Sequence, residues 1–171
     1  MTKKKVIFGI SAFVILILGF LTWYKIYYSM EVANSFDVNS PESKHRVLIA
    51  TQGSEFKDAM VARIVEHLKK RNVYIKVIDV TALPHINDDK WNAILVFHTW
   101  ENLKPQADSK VFLDRVQDLS KVIVLSTSGN GGHKIEGVNA ITSASIMTDI
   151  PVHTQEIKNR LNSILGSAIQ K

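Results

Sequence analysis

The chain has 171 residues, with 21 Lys and Arg against 16 Asp and Glu and a net charge of +5. Lys3, Lys4, Lys5 and Lys25 fall within the first 30 residues, where no acid occurs, and the remainder carries a balanced 17 basic and 16 acidic residues. That balance excludes a nucleic-acid footprint, which needs clustered basic charge. The absence of cysteine excludes disulfides, thiolate chemistry and Cys-type metal sites.

The first element is "VIFGISAFVILILGFLTWY", 19 uncharged residues from Val6 to Tyr24. About 20 apolar residues span the hydrocarbon core as a helix. Three lysines precede the run, and Trp23, Tyr24, Tyr27 and Tyr28 sit at its far end, where aromatic rings favour the membrane interface. The run is longer than the apolar core of a cleaved signal peptide, and no A-x-A site follows it. It reads as a retained anchor, with residues 6–24 in the lipid bilayer. The lysine asymmetry keeps the N-terminus cytoplasmic and makes the C-terminal part extracytoplasmic. Residues 1–28 are thus a basic tip and transmembrane anchor, and "SMEVANSFDVNSPESK" (29–44), polar and aperiodic, reads as a tether. Residues 45–171 are long enough for one domain with its own core.

Within that domain apolar runs alternate with helical patterns. "RVLIA" (46–50) reads as a strand buried on both faces. Ser54 is placed to cap a helix whose stripe is Phe56, Met60, Ile64 and Leu68, flanked by Val61 and Val65. "VYIKVIDV" (73–80) alternates more and reads as a strand near an edge, and "NAILVF" (92–97) as a central strand. "SKVFLDRVQDL" (109–119) is a predicted helix with Phe112, Val116 and Leu119 in register. "KVIVLS" (121–126) and "GVNAIT" (137–142) are the last strands, and "TQEIKNRLNSILGSAI" (154–169) is a closing helix with Ile157, Leu161, Ile164 and Leu165 on one face. Strands alternating with helices predict βαβ units, a five-stranded parallel sheet and an α/β three-layer fold.

Ligands of such sheets bind beyond the C-terminal ends of the strands, which selects four segments. "ATQGSEF" offers Thr51, Gln52, Gly53 and Ser54 at a helix start, suited to an anion or merely to capping and turning. "HTWENLKP" offers Thr99 and Trp100, a ring able to stack on a flat ligand or to cover the core edge. "STSGNGGH" offers Ser128, Gly129, Asn130 and Gly131 in a loop whose backbone can approach a ligand. "SASIMTD" follows the last strand.

Together these segments resemble the flavodoxin-like family over about residues 45–170. The resemblance implies that Thr51, Gln52, Gly53 and Ser54 hold an FMN phosphate. It also implies that Thr99 and Trp100 face one side of the flavin and Ser128, Gly129, Asn130 and Gly131 the other. The family's phosphate loop is similar to T-x-T-G-x-T; "TQGSEF" lacks the second threonine and puts Glu55 or Phe56 where the last one belongs. Only 11 residues, 127–137, separate the last two strands, too few for a usual crossover helix. "NAITSASIMT" (139–148) also resembles the D-x-x-[ST]-G-A-[ST] motif of covalently flavinylated exported proteins, with Asn139 and Ser143 departing from it and Ser145 in the position of the modified residue.

His98, His133 and His153 fall near the ligand end, but no HxH or HxxxH spacing occurs, and they read as solvated loop residues rather than zinc ligands. No G-x-S-x-G appears, so no hydrolase is indicated, and any activity is expected to be flavin-dependent redox. Two readings stand. One is a membrane-tethered flavodoxin-like protein that binds FMN and passes electrons to a redox partner at the membrane surface. The other is a flavin-less flavodoxin-like binding or scaffold module of an envelope assembly.

Overall fold

The computed structural model describes residues 3–28 and 30–166. The side chains of Tyr24, Tyr27 and Tyr28, and residues 167–171, where the predicted last helix was to end, lie outside that description. The chain divides into two compact units, Met1–Met30 and Glu31–Lys171.

The first unit is one helix, α1 (Lys3–Tyr28), apolar on all sides and long enough over Lys3–Trp23 to cross a membrane. The second unit is an α/β domain. Its elements are β1 (Phe36–Val38), β2 (His45–Thr51), α2 (Glu55–Leu68), β3 (Val73–Asp79), β4 (Ala93–Glu101) and β5 (Lys104–Pro105). They continue with α3 (Ala107–Arg115), β6 (Val122–Thr127), β7 (Ala140–Ser143) and α4 (Ile150–Leu165).

Five strands are parallel, in the order β3-β2-β4-β6-β7. Numbered by sequence this is 2-1-3-4-5, the flavodoxin-like order, whose direction reverses between β2 and β4. The expected sheet is there, but it is larger by two antiparallel strands, β1 on β3 and β5 on β4. The stretch read as a tether supplies β1. Its polar sequence hides a strand because β1 is mostly solvent-facing and is held from outside: Asn39 Nδ2 donates to the carbonyls of Lys69, Arg71 and Val73. With β1 covering it, β3 is not at the edge, and all its residues but Lys76 are buried.

Two apolar layers sandwich the sheet. Phe56, Met60, Ile64 and Leu68 of α2 and Ile157, Leu161 and Leu165 of α4 pack on one face of the strands. Phe112 and Leu113 of α3 share the other face with Leu83 and Trp91. Ser54 caps α2 as its sequence predicts, accepting the Lys57 N–H at 3.3 Å. Two crossovers lack an α-helix. Residues 80–90 make two 3-10 turns capped by Asp79 and Asn87, and residues 128–139 connect β6 to β7. α3 is shorter than predicted: it ends at Arg115, Val116 turns extended, and Leu119 is exposed in a 3-10 turn capped by Asp118.

Candidate functional site

The reversal between β2 and β4 puts a crevice at the C-terminal ends of those strands, and the four selected segments converge on that end of the sheet. The second is not a loop. β4 runs on to Glu101 and turns into β5, so Thr99 and Trp100 are consecutive strand residues. Side chains alternate across a strand, so the two do not share a face. Thr99 points to the α2 layer and is buried, while Trp100 lies in the α3 layer.

The crevice is filled from within. Gln52 Oε1 accepts the Thr99 N–H at 2.7 Å, bridging β2 to β4 at the switch point. Lys57, from the first turn of α2, is 1% exposed and donates from Nζ to Thr99 Oγ1 at 2.6 Å. The Thr99 hydroxyl lies 2.9 Å from that of Thr127, which donates in turn to the His98 carbonyl. Burial pushes the Lys57 ammonium down to about 8, while the carboxylates of Glu101 and Asp58 pull the other way. Lys57 escaped the sequence reading, yet it carries a signal there. Residues 57, 61, 64 and 68 share one helical face, and a lysine on a buried stripe needs internal partners.

The first segment also turns its polar atoms inward. Thr51 Oγ1 donates to the Gln52 carbonyl at 3.1 Å. The Gly53 N–H donates at 2.7 Å to the carbonyl of Glu31, with which Gly53 forms an antiparallel bridge. Ala33 N–H donates to Asp79 Oδ2 at 2.8 Å, fixing the same segment to the end of β3. A Cβ on Gly53 would meet Glu31 Cβ and O at 3.0 Å, so glycine lets the two backbones approach. An FMN phosphate is a dianion that needs several converging donors. Here the Thr51 hydroxyl and Gly53 N–H are spent and the Lys57 N–H is taken by Ser54 Oγ, which leaves the Ser54 O–H, the Gln52 amide and the N–H groups of Glu55 and Phe56. This donor set does not fit a full phosphate cradle.

On the other face, Trp100 Nε1 donates to Ser126 Oγ at 2.9 Å, and Ser126 donates to the His133 carbonyl at 2.8 Å. The Trp100 ring packs against that of His133 at 5.1 Å between centroids. In the third segment, Ser128 N–H donates to Ser143 O, Gly131 N–H to Ser128 O and Ser128 Oγ to Asn130 Oδ1. Gly131 has φ +69°, and a Cβ there would stand 2.8 Å from Ala144 N, so the loop lies flat against the end of β7. Gly129 and Asn130 stay exposed. Ser145 is exposed with φ 59° in the loop that leaves β7.

The histidines do not converge. His133 lies on Trp100, and His153 of α4 meets the Phe56 ring edge-on at 6.4 Å. His98 corrects the expectation of solvated loop histidines: it is fully buried in β4, and neither ring nitrogen has a hydrogen-bond partner. Burial outweighs the opposing pull of the Thr99 backbone and, with the Lys57 charge adding to it, pushes His98 down to about 4. Among the described residues, no three His, Asp or Glu side chains group as metal ligands would.

The strand order and the site at the switch point define a flavodoxin-like α/β domain. No family model matches the sequence, and no curated protein matches it. Among solved structures the chain is similar to a flavodoxin from the domain Archaea, at 13% identity and a TM-score of 0.48 over 71% of this chain and 99% of that one. The fold assignment rests on the strand order.

Proposed function

We propose that the chain is a membrane-tethered flavodoxin-like module whose ligand crevice is occupied by its own side chains, and that it serves as a binding or scaffold module of an envelope assembly. The observation that carries this reading is the Gly53 N–H, which donates to Glu31 where a phosphate-binding loop would hold its ligand. The buried Lys57–Thr99–Thr127 network supports it, because the Thr99 side chain that would face a ligand is engaged internally. In this reading α1 anchors the module, with the N-terminus cytoplasmic and the domain outside; protease added to intact spheroplasts then digests the domain, and protection until lysis refutes that topology. Visible absorbance of the purified full-length protein, before and after incubation with FMN, tests the absence of flavin.

The second reading, FMN-dependent electron transfer at the membrane surface, is favoured by one observation. Trp100 stays partly exposed beside the exposed Gly129 and Asn130 end of the sheet. In that reading ring stacking on Trp100 supplies most of the affinity, and the flavin supplies the redox chemistry when bound.

A further inference from the structure

Among the described residues of the domain, eight large apolar side chains are exposed: Val32, Phe36, Leu103, Val111, Leu119, Ile146, Met147 and Val152. Scattered singly, such residues need no explanation. Five of them are not scattered. Val32 is 76% exposed and sits between Glu31 and Ala33, which are bonded to Gly53 and Asp79 at the C-terminal ends of β2 and β3. Leu103 is 79% exposed at the tip of the β4–β5 hairpin. Ile146 and Met147 lie in the loop leaving the C-terminal end of β7, and Val152, 68% exposed, is in the first turn of the helix that follows. The topology therefore gathers all five at one end of the sheet.

Leu103 adds an independent sign. Asn102 and Leu103 have φ of 50° and 60°, the double left-handed geometry of a two-residue hairpin turn. That geometry favours Asn-Gly, and a bulky residue in its second position holds a strained backbone. A leucine kept there, almost fully exposed, is displayed at a cost.

We infer that this end of the domain is a docking surface for a lipid bilayer, with Leu103, Met147 and Val152 entering the interface. The occupant follows from where the chain leads. Residues 29 and 30 alone separate the last residue of α1, Tyr28, from Glu31, which the domain holds at this same end. At about 3.6 Å per residue that connection is at most about 11 Å long. Glu31, Glu55, Glu101 and Asp149 share the end with Lys104, a net acidic balance, so the contact is made by the apolar side chains and does not use anionic lipid. The inference rests on the reading of α1 as a membrane anchor.

The test uses the full chain in phosphatidylcholine vesicles. The sequence has no cysteine, so single variants Leu103→Cys, Met147→Cys and Val152→Cys each take one environment-sensitive fluorophore. Leu119→Cys, near the opposite end of the sheet, and Leu16→Cys, in α1, are the references. Emission from positions 103, 147 and 152 is expected to shift blue and to be quenched by nitroxide-labelled phospholipid as at position 16, unchanged by salt, with position 119 unquenched. Quenching at 16 alone overturns the docking surface and leaves the anchor standing. A blue shift at 103, 147 and 152 without lipid quenching assigns the surface to a protein contact and overturns the inference. No quenching even at 16 overturns the anchor and the inference with it.

Discussion

Lys57 Nζ donates to the Thr99 hydroxyl at 2.6 Å, placing a lysine with 1% of its surface exposed at the point where the sheet reverses direction. In a fold whose ligands bind at that point, this chain has supplied a cation of its own, bonded to Thr99, whose N–H and hydroxyl are held in turn by Gln52 and Thr127.

The lysine makes stability depend on alkaline pH. Its folded value is about 8, below the ordinary 10.5, so between those values the unfolded chain holds a proton that the folded chain has released. Stability attributable to Lys57 therefore rises as pH goes from 8 to 10.5 and is level below 8. The full gain is on the order of 3 kcal/mol. Urea melts of wild type and Lys57→Met across that range are expected to diverge, with wild type gaining on the variant. Parallel curves would contradict the burial of the ammonium.

His98 acts at the acid end. Its folded value of about 4 lies below the ordinary 6.5. As pH falls through 6.5 the unfolded chain takes up a proton that the folded chain refuses, and stability drops until pH nears 4, by up to about 3 kcal/mol. His98→Leu is expected to remove that component. Thermal melts between pH 7.5 and 4.5 are then expected to show the variant losing less than wild type.

Gly53→Ala sets a Cβ 3.0 Å from Glu31 Cβ and O. The Glu31 backbone must give by a few tenths of an ångström to admit the methyl, so the bond from Gly53 N–H to Glu31 O is expected to weaken. Hydrogen exchange should accelerate at Gly53 and Ala33 while the amides of α2 keep their protection. Unchanged exchange at those two residues would mean that the bridge is not what holds the segment.

Leu48 and Val124 are buried in the layer facing α3. Leu48→Ala and Val124→Ala are each expected to cost about 2–4 kcal/mol through the cavity they leave. Glu66, exposed on α2 beside Lys69 and Lys70, is expected to tolerate alanine with the urea midpoint unmoved. Equal shifts for all three would overturn the assignment of faces.

The periodic part of the fold was legible because burial writes itself into the sequence. The Phe56–Met60–Ile64–Leu68 stripe and the continuous run Val47–Ala50 predicted a helix and an inner strand, and both are there. What was missed is held by single polar contacts rather than by pattern. β1 depends on Asn39 reaching three carbonyls, and the end of α3 depends on Asp118 capping the next turn. The site was harder still. Extending β4 by four residues beyond its apolar run sends Thr99 and Trp100 to opposite faces. The partner that occupies Gly53, Glu31, lies 22 positions upstream in a stretch without periodicity.

The measurement closest to the central claim is a comparison of FMN and riboflavin, titrated into the purified full-length protein and followed by quenching of flavin fluorescence. With the Gly53 N–H engaged by Glu31, the phosphate finds little to bind. The prediction is that neither flavin binds appreciably, or that both bind weakly and within about tenfold of each other, ~1.4 kcal/mol. FMN binding more than about a hundredfold tighter than riboflavin, ~2.7 kcal/mol, would show a working phosphate site and contradict the account.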